Sequence, residues 1–553
     1  MIYKTNSAYE YPLLIKNLLG APLVYNSGRE IVYRDSVRLT YARFHERVGK
    51  LASALLKLGV KKGMTVGVLD WDSHRYLECF FAIPMIGAIL HTVNIRLAPE
   101  QLVYTIDHAE DEVLLVHEDF LSLLEQIKGR LDTVEQVVLI REPNSLSQND
   151  TLSEDIPWAG EYEELLAQSE PLQEFPDLDE HTQATLFYTT GTTGLPKGVY
   201  FSHRQIVLHT LSGLIALGCP SEKGRFHTSD VYMPLTPMFH VHAWGIPYMA
   251  TVLGVKQVYP GRYVPSLLLS LIQKEGVTFS HCVPTILNML LKDPCSRQID
   301  LTKWKVIIGG AALPKALALE ALKRGIDIFA GYGLSETCPV LSIVRITEQT
   351  TFEFQNPEQE AELRCRTGTP IPLVQVRIVD ENGKEVPADD RTPGEILVRS
   401  PWLTPGYWKD HANSEKLWEG GWLHTGDVGC INRERSLRIT DRKKDVIKVG
   451  GEWVSSLALE DILSTHPVVS EVGVIGQPDS TWGEVPLSLV VKKEGREETE
   501  RELSVYVKTF VDRGVLPREA ILLKVRFVPS LEKTSVGKVN KVALRNKYLG
   551  GPV

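Results

Sequence analysis

An alternation of strand-like and helix-like runs constrains the fold of this chain most. Between Ser36 and about Glu180, short apolar runs such as "TVGVLD", "AILHTVN" and "EVLLVHE" alternate with helical stretches such as "YARFHERVGKLASALLKLG". The pattern repeats between Arg204 and Gly331, where a helical run precedes the strand-like runs "VYMPLTP", "KQVYP", "VTFSHCVP", "KVIIGG" and "DIFAGYG". Such alternation is typical of parallel α/β architecture, so we expect two α/β sheet subdomains.

The pattern of apolar, Pro and Gly residues changes after Thr367. Short strands interrupted by Pro and Gly follow, as in "PLVQVRIVDENGKEVP", and helices are scarce. This predicts a small β-barrel-like subdomain that closes a large N-terminal domain. Past Asp441 the chain reads as helix, strand, strand, helix and strand, which predicts a small α+β C-terminal domain able to fold by itself.

Composition narrows the class of protein. The chain of 553 residues is too long to fold around one hydrophobic core, because domains usually contain ~100–200 residues. A net charge of −9 argues against a nucleic-acid partner. The seven cysteines stand singly with no C-x-x-C pair, and the N-terminus lacks the features of a signal peptide, which favours a reduced, cytoplasmic protein. The longest apolar run, "FFAIPMIGAIL", is too short for an integral membrane segment and predicts a buried helix and turn.

The stretch "YTTGTTGLPKGV", Tyr188 to Val199, has the composition of a phosphate-binding loop. Its glycines allow backbone N–H groups to turn toward an anion, its threonines add donors, and Lys197 adds a positive charge. It is not a Walker A loop, because no Ser or Thr follows the lysine. The alternative is a flexible surface turn, although such turns seldom concentrate so many Gly and Thr residues around one Lys.

Two apolar strands run into glycines, in "KVIIGGAAL" and "IDIFAGYGLSET". Ligands of open α/β sheets bind outside the carboxyl ends of the strands, so Gly309, Gly310 and Gly331 are placed to let a flat ring approach the backbone. Tyr332 is placed to stack on that ring, and Glu336 offers a carboxylate for Mg²⁺. Taken alone, either glycine pattern would be read as a strand-end turn.

Three later segments carry weaker signals. Asp427 in "WLHTGDVG" fits a ribose-binding carboxylate or a turn-forming aspartate, and "DRKKDVIKVGGEWVSS" lies at the predicted domain boundary, where a plain linker is the alternative. Lys538 in "SLEKTSVGKVNK" would be unremarked by itself. His240 and His242 have no third ligand nearby for zinc, and a serine hydrolase would need a G-x-S-x-G motif, which the chain lacks.

Together and in this order, the five segments resemble the adenylate-forming (AMP-binding) superfamily, which contains acyl-CoA synthetases, firefly-type luciferases and peptide-synthetase adenylation domains. "PMFHVHAW" and "GYGLSETCPV" are most similar to medium- and long-chain fatty-acyl-CoA synthetases. The resemblance implies that a fatty acid, ATP and CoA give acyl-CoA, AMP and pyrophosphate through an acyl-adenylate, with Mg²⁺ as cofactor. It also implies an N-terminal adenylation domain (1–440), a hinge (441–446) and a mobile C-terminal domain (447–553).

The resemblance further implies a role for each matching residue. The catalytic residues would be Lys538, Glu336, His240 and Lys197, with Thr189 and Glu336 at the metal. The ATP/AMP site would comprise Thr189, Thr192, Thr193, Gly194, Gly309, Gly310, Ala311, Ala330, Gly331, Tyr332, Gly333, Ser335, Asp427 and Arg442. Hinge motion and the CoA half-reaction would involve Lys444, Lys448, Gly450, Gly451 and Trp453. Trp244 and Cys338 would line the acyl tunnel and its gate.

Three departures from the family pattern are visible, and none removes a catalytic group. Ser335 stands where Thr is usual, Ala330 where fatty-acyl relatives often have Gln, and Lys541 where Arg is commoner. Pocket depth cannot be read from sequence, so a CoA ligase for aryl, short-chain or branched acids is the alternative. A noncatalytic acyl-nucleotide-binding protein is a second, although it would have little need of Lys538. A homodimer is possible on the resemblance.

Overall fold

The computed structural model of the chain describes residues 3–142, 153–189, 195–219, 226–347, 354–495, 498–534 and 538–550. The strands of the large domain's two main sheets are β1 (Glu30–Tyr33), β2 (Val37–Thr40), β3 (Thr65–Leu69), β4 (Ile89–Thr92), β5 (Asp111–His117), β6 (Gln136–Ile140), β7 (Trp158–Glu161), β8 (Gln183–Thr189), β9 (Lys197–Ser202), β10 (Val231–Pro234), β11 (Lys256–Tyr259), β12 (Phe279–Cys282), β13 (Lys305–Ile308), β14 (Asp327–Gly333), β15 (Val340–Ile343) and β16 (Thr369–Pro370).

Helices alternate with these strands. They are α1 (Ile15–Tyr25), α2 (Tyr41–Lys57), α3 (His74–Met85), α4 (Pro99–Ala109), α5 (Leu121–Ile127), α6 (Tyr162–Ala167), α7 (His203–Gly218), α8 (Val241–Trp244), α9 (Ile246–Leu253), α10 (Pro265–Glu275), α11 (Pro284–Lys292), α12 (Lys315–Lys323) and α13 (Pro357–Arg364). Within the described residues, no helix is both long and apolar enough to cross a bilayer.

The strands form two large, mostly parallel sheets. The first contains seven strands in the order β7-β6-β5-β3-β4-β8-β9, and the second contains nine in the order β16-β15-β14-β13-β12-β10-β11-β1-β2. Only the margins are antiparallel: β9 beside β8, β2 beside β1, and β15 and β16 beyond β14. The prediction of two α/β sheet subdomains is therefore confirmed.

Helix α3 shows why the two sheets behave as one body. It contacts β3, β4 and β8 of the first sheet and β1 of the second, and all twelve of its residues are buried. A helix that is covered on every side needs apolar residues around its whole circumference, which the run "CFFAIPM" supplies. This run is the predicted buried helix, and it ends just before β4. The largest core of the protein lies here, between the sheets.

The remaining elements complete the large domain and form the small one. They are β17 (Gln375–Val379), β18 (Gly394–Arg399), α14 (His411–Leu417), β19 (Leu423–Ile431), β20 (Leu437–Arg442), β21 (Ile447–Val449), β22 (Glu452–Val454), α15 (Ser456–Ser464), β23 (Val469–Asp479), β24 (Gly483–Lys492), α16 (Glu500–Asp512), β25 (Lys524–Phe527) and α17 (Lys541–Leu549). Strands β17 to β20 form a four-stranded antiparallel sheet in sequence order, the small β subdomain that was predicted.

The C-terminal unit is an α+β domain with its own core. Its sheet has the order β22-β21-β24-β23, with β25 pairing in parallel with β24. Apolar clusters cover both faces of the sheet, one formed with α15 and α16 and the other with α17. Of the residues predicted as a hinge, Asp441 and Arg442 end β20, and residues 443–446 connect it to β21, which begins at Ile447.

Candidate functional site

The site lies where β13 and β14 end. Gly309 and Gly310 follow β13, and β14 itself runs into Gly331 and Gly333, so both strands present backbone at the same edge of the sheet. A Cβ at Gly333 would lie 1.8 Å from the carbonyl oxygen of Pro339, which no side chain can tolerate. The glycine spacing that marked this segment in the sequence therefore allows two chain segments to approach closely beside the site.

Asp427 lies at the centre of a polar cluster. It pairs with Arg442 across β19 and β20, and its Oδ1 lies 3.2 Å from the Arg442 Nε. The Tyr332 hydroxyl donates to Oδ2 at 2.8 Å. Asp427 is 4% exposed, and burial raises the pKa of its carboxyl, although Arg442 and Tyr332 act in the opposite direction. Both oxygens are thus already engaged, so an incoming ribose would exchange or share these partners.

The predicted phosphate loop is described only at its two ends. Thr189 closes β8 and pairs with Lys197, which opens β9, while Thr192, Thr193 and Gly194 lie outside the described residues. The Lys197 Nζ lies 4.5 Å from the centre of the Tyr407 ring, a distance at which a cation is attracted to the ring face. Trp408 N–H donates to the Gly198 carbonyl at 2.8 Å, which fastens the segment of Tyr407 to β9.

Glu336 is held by the same segment. The Tyr407 hydroxyl donates to its Oε1 at 2.8 Å, and Thr404 N–H donates to its backbone carbonyl at 2.9 Å. Tyr407 thereby joins the base of the phosphate loop to the carboxylate that was predicted to bind the metal. Sequence reasoning missed Tyr407 and Thr404, because the run "PWLTPGYW" was read only as strand and turn.

Lys538 reaches the site from the C-terminal domain. The position that a Cβ on Gly310 would take lies 3.3 Å from the Lys538 Cε and 3.7 Å from its Nζ. Burial, and after it the charge of Arg442, lower the pKa of Lys538 to about 8, while Asp427 and Glu336 oppose the shift. The lysine therefore lies within electrostatic reach of all three side chains and is mostly cationic at neutral pH.

His240 lies in the same region and is uncharged. Burial, together with the positive charges of Lys538 and Arg96, lowers the pKa of its imidazole to about 3. A neutral imidazole donates one hydrogen bond and accepts another without adding charge. Lys538 and Arg96 thus lie within electrostatic reach of His240, and such a set of groups suits an anion such as a carboxylate or a phosphate. Arg96 is a third residue that sequence reasoning missed, and nothing in its surrounding motif "VNIRLAP" would have marked it.

The backbone around Trp244 is strained. Val241, His242, Ala243 and Trp244 have φ values of 49°, 53°, 47° and 59°, and Gly245 follows at 70°. Left-handed conformation costs an L-residue about 1–2 kcal/mol, so four such residues in a row persist only because their surroundings impose it. The sequence gives no sign of this left-handed turn beyond the glycine that closes it.

Packing of the Trp244 indole helps to fix that turn. A Cβ at Gly309 would lie 2.9 Å from the indole Cη2, so the flat ring that approaches this glycine here belongs to Trp244. On another side the indole lies 5.0 Å, centre to centre, from the ring of His281, whose Nε2 is 2.8 Å from the Tyr232 hydroxyl. The predicted gate residue therefore covers the glycine edge of the site and is itself 7% exposed.

The predicted CoA segment lies on the surface. Lys448, Gly450 and Gly451 are exposed, and the Lys448 Nζ is 3.4 Å from Glu381 of the large domain. Trp453 is half-buried, with the Lys448 ammonium 5.7 Å from its ring centre. The structure thus places Lys538 beside Gly310 at the strand ends, whereas the segment of Lys448, Gly450 and Gly451 is exposed to solvent. Lys444 is in the connection between β20 and β21, where burial of its ammonium lowers its pKa.

The other predicted residues border the strand ends. Ala311 is exposed after β13, Ala330 is buried within β14, and Ser335 and Glu336 share a short 3-10 turn. Cys338 is buried directly after that turn, and its carbonyl lies 3.7 Å from the position of a Cβ on Gly245. Its location beside the Trp244 turn is compatible with its predicted place at the gate, and the individual roles of these residues stay predictions.

Comparison with known proteins identifies the class. Residues 24–408 match the model for AMP-binding enzymes, and residues 458–538 match that for the AMP-binding enzyme C-terminal domain. The chain is 40% identical over 519 residues to a long-chain-fatty-acid–CoA ligase of Thermus thermophilus, covering 92% of this chain and 90% of that protein. It is 34% identical over 548 residues to a medium-chain-fatty-acid–CoA ligase of Ectopseudomonas oleovorans, covering 97% and 96%.

Among solved structures, the anthranilate CoA ligase AuaEII in complex with anthranoyl-AMP superposes with a TM-score of 0.83 at 25% identity, covering 97% of this chain and 98% of that chain. The chain therefore belongs to the AMP-binding enzyme family. Within that family it is an ATP-dependent, AMP-forming acyl-CoA synthetase, which confirms the activity and the ATP and CoA substrates predicted from the sequence.

Proposed function

We propose that the acid activated by this enzyme is a fatty acid and that Lys538 is the residue that drives its adenylation. The observation that carries the catalytic part is the position of Lys538, whose Cε lies 3.3 Å from the Cβ position of Gly310 in the same site as Asp427 and Glu336. A protein that only binds an acyl nucleotide has little need of a lysine there. The names of the Thermus and Ectopseudomonas ligases support a fatty acid as the substrate.

In the first half-reaction the fatty acid attacks the α-phosphorus of ATP and displaces pyrophosphate. The carboxylate is already ionised, so no general base is needed, and the barrier comes from crowding negative charge on the two reactants. Lys538 neutralises the carboxylate and α-phosphate oxygens, and His240 donates a hydrogen bond without adding charge. Lys197 holds the β- and γ-phosphates that leave, together with Thr189 and with the loop residues Thr192, Thr193 and Gly194.

Mg²⁺ fits the donors at Glu336 and Thr189. Both offer hard oxygen ligands, which Mg²⁺ prefers, and Tyr407 engages one carboxylate oxygen of Glu336, its Oε1. When bound, the ion reduces the repulsion among the phosphate oxygens. Tyr407 fixes the orientation of Glu336, and Lys197 completes the positive side of the site.

The nucleoside fits the opposite end of the site. Asp427 accepts the ribose hydroxyls, and Arg442 keeps that carboxylate oriented through the contact of 3.2 Å. The adenine lies against the backbone of Ala330 and Gly331, with Tyr332 as its stacking partner, and Gly309, Gly310, Ala311, Gly333 and Ser335 border the same edge. Because Ala330 has no polar side chain, recognition of adenine here depends on backbone groups.

The second half-reaction requires a different face of the C-terminal domain. Rotation about the hinge at Lys444 withdraws Lys538 and brings the segment of Lys448, Gly450 and Gly451 to the site, where CoA attacks the acyl-adenylate. Its present exposure supports this proposal, because Gly450 and Gly451, with φ of 60° and 94°, form the exposed two-residue turn between β21 and β22 and leave its backbone open to a ligand. Trp453 then borders the channel for CoA.

The acyl chain enters past Trp244 and Cys338. The indole covers Gly309 in this structure, so the tunnel opens only when that ring moves. AuaEII is an anthranilate CoA ligase and so activates an aromatic acid, and a pocket closed permanently by Trp244 would favour such an acid, or a short or branched one. The fatty-acid proposal therefore requires a mobile indole, and the aryl, short-chain and branched alternatives require a fixed one.

A series of acids separates these proposals. Pyrophosphate release is measured with ATP, Mg²⁺ and each acid from acetate to palmitate, with benzoate as the aromatic member, and acyl-CoA is measured once CoA is added. We expect kcat/KM to rise with chain length into the medium or long range. A maximum at acetate or benzoate would overturn the fatty-acid proposal, and no thioester from any acid would overturn the assignment of this site.

Two finer points belong to the same proposal. All seven cysteines are free thiols, which is consistent with a cytoplasmic enzyme, and fractionation of the native cells tests that location.

Leu211 and Ile215 are 42% and 50% exposed one turn apart on α7, which favours a homodimer through an apolar contact. Light scattering of the purified chain gives the oligomeric state directly.

A further inference from the structure

The two domains meet at a second point besides Lys538. Helix α15 of the C-terminal domain contacts α12 of the large domain, and the Lys315 backbone N–H donates to Asp461 Oδ1 at 3.1 Å. Lys315 is the first residue of α12, and Asp461 lies in the region that matches the C-terminal family domain. A side chain of the mobile domain therefore binds the amino end of a helix in the large domain.

Helix α12 has no such partner of its own. Its N-cap residue is Pro314, no side chain of the cap accepts a hydrogen bond, and the first turn contains no acidic residue. The first N–H groups of a helix need acceptors, and a carboxylate is favoured there because the helix dipole is positive at that end. Helices α15 and α16, by contrast, are capped by their own Ser455 and Thr499. Asp461, which belongs to the other domain, thus supplies the hydrogen-bond acceptor that an N-cap side chain supplies in many helices.

The place of α12 ties this cap to the chemistry. Only Ala311 to Pro314 separate Gly310, over which Lys538 lies, from Lys315, to which Asp461 is bonded. Both contacts join the same short stretch of the large domain to the same C-terminal domain. A rotation that withdraws Lys538 would also part Asp461 from Lys315. The cap therefore belongs to the orientation in which Lys538 occupies the site.

We propose that Asp461 is a positioning residue for the adenylation half-reaction, holding the C-terminal domain in the orientation that inserts Lys538 by capping α12 across the domain interface. This inference rests on the proposed domain rotation. Asp461 touches neither substrate nor reacting atoms and acts through the placement of Lys538. Its loss should therefore change the balance between the two half-reactions rather than the chemistry of either.

The interface offers a matched control. Glu381 of the large domain also contacts the C-terminal domain, through Lys448 at 3.4 Å; its side chain and that of Lys448 are 68% and 59% exposed, and Asp461 is exposed as well, so the two contacts differ chiefly in that Asp461 caps a helix. Exposed ion pairs contribute little because water and salt screen them, whereas loss of a helix cap has a larger effect. Glu381→Gln removes an interdomain contact without removing a cap, and neither Asp461 nor Glu381 belongs to the proposed catalytic set.

The test uses the full-length chain with separate assays for adenylation, by pyrophosphate release, and for thioester formation from preformed acyl-adenylate and CoA. Asp461→Ala should lower adenylation about fivefold, the effect typical of losing a cap, and leave thioester formation unchanged or faster. Asp461→Asn keeps a capping oxygen and should restore most of the adenylation rate. Glu381→Gln should resemble wild type in both assays.

An unchanged ratio of the two rates in Asp461→Ala, or an equal loss of both, would overturn the proposal. A loss in Asp461→Asn as large as in Asp461→Ala would also overturn it, because capping would then not be the cause. Thioester formation shows that each variant is folded. Failure of the proposed function itself would be distinguishable, since wild type would then form no acyl-adenylate from a fatty acid, or Lys538→Ala would adenylate as fast as wild type.

Discussion

Replacing Asp427 with Asn should weaken ATP binding strongly while leaving the fold as stable as before or more stable. The change keeps the shape of the side chain but removes its charge and turns one acceptor into a donor. That NH₂ group can donate to the Tyr332 hydroxyl, which lies 2.8 Å from Asp427 in the wild type and can turn to accept, while the amide oxygen still accepts from the Arg442 Nε at the position now 3.2 Å away. The ribose loses a charged acceptor in the same step.

The size of the effect follows from these contacts. A hydrogen bond to a charged group contributes about 1.5–3 kcal/mol, so losing one such bond to the ribose raises the KM for ATP roughly 10- to 150-fold. The free energy of unfolding, in contrast, should stay the same or rise. Burial raises the pKa of Asp427, so at neutral pH the ionised carboxylate is less favourable in the folded chain than in the unfolded one, and Asn removes that cost. Arg442 loses little, because its side chain is 47% exposed.

The assay compares wild type with Asp427→Asn in ATP titrations of pyrophosphate release and in thermal unfolding. We expect a large rise in the KM for ATP with a melting temperature equal to or above that of wild type. Tyr332→Phe, which removes only the neutral donor, should change KM much less. A KM within threefold of wild type would refute the role of Asp427, and a fall in melting temperature would refute the reasoning about its burial.

Three further predictions concern neighbouring features. Because the pKa of Lys538 is about 8, its charged fraction falls as the pH rises through that value, so kcat/KM for adenylation should decline at alkaline pH, in a profile measured from pH 6 to 10. Trp244→Ala removes the indole that covers Gly309 and should raise kcat/KM for the longest acids relative to short ones, and an unchanged length profile would exclude a gate. Gly333→Ala places a methyl group 1.8 Å from the Pro339 carbonyl oxygen and should lower the free energy of unfolding by about 3 kcal/mol, measured by denaturant titration.

The periodic parts of the fold were predictable from the sequence. Both large sheets follow from runs such as "TVGVLD" and "KVIIGG", since apolar runs alternating with helical stretches have few other solutions. The packing of α3 between the sheets was predicted only as burial. Its position depends on contacts with β1 and β8, which lie far apart in the chain, and local patterns do not encode such contacts.

The candidate site was predictable where the residue types in a motif suggest a chemical role, and those roles stay predictions. Lys197, Glu336 and Asp427 stand in motifs whose composition is costly without a function, and the resemblance added Lys538, which had no signal of its own. Tyr407 was not predictable, because its role arises from a pairing with Val199 about two hundred residues earlier. The left-handed turn at Trp244 was equally hidden, since its residues have no preference for positive φ.

The two half-reactions of Lys538→Ala test the central claim most directly. Adenylation is followed by pyrophosphate release, and the second step by acyl-CoA formed from preformed acyl-adenylate and CoA. If Lys538 neutralises charge in the first transition state and is withdrawn for the second, adenylation falls by at least about a hundredfold while thioester formation stays within a few-fold of wild type. Equal loss of both activities, or an adenylation rate close to wild type, would contradict the account.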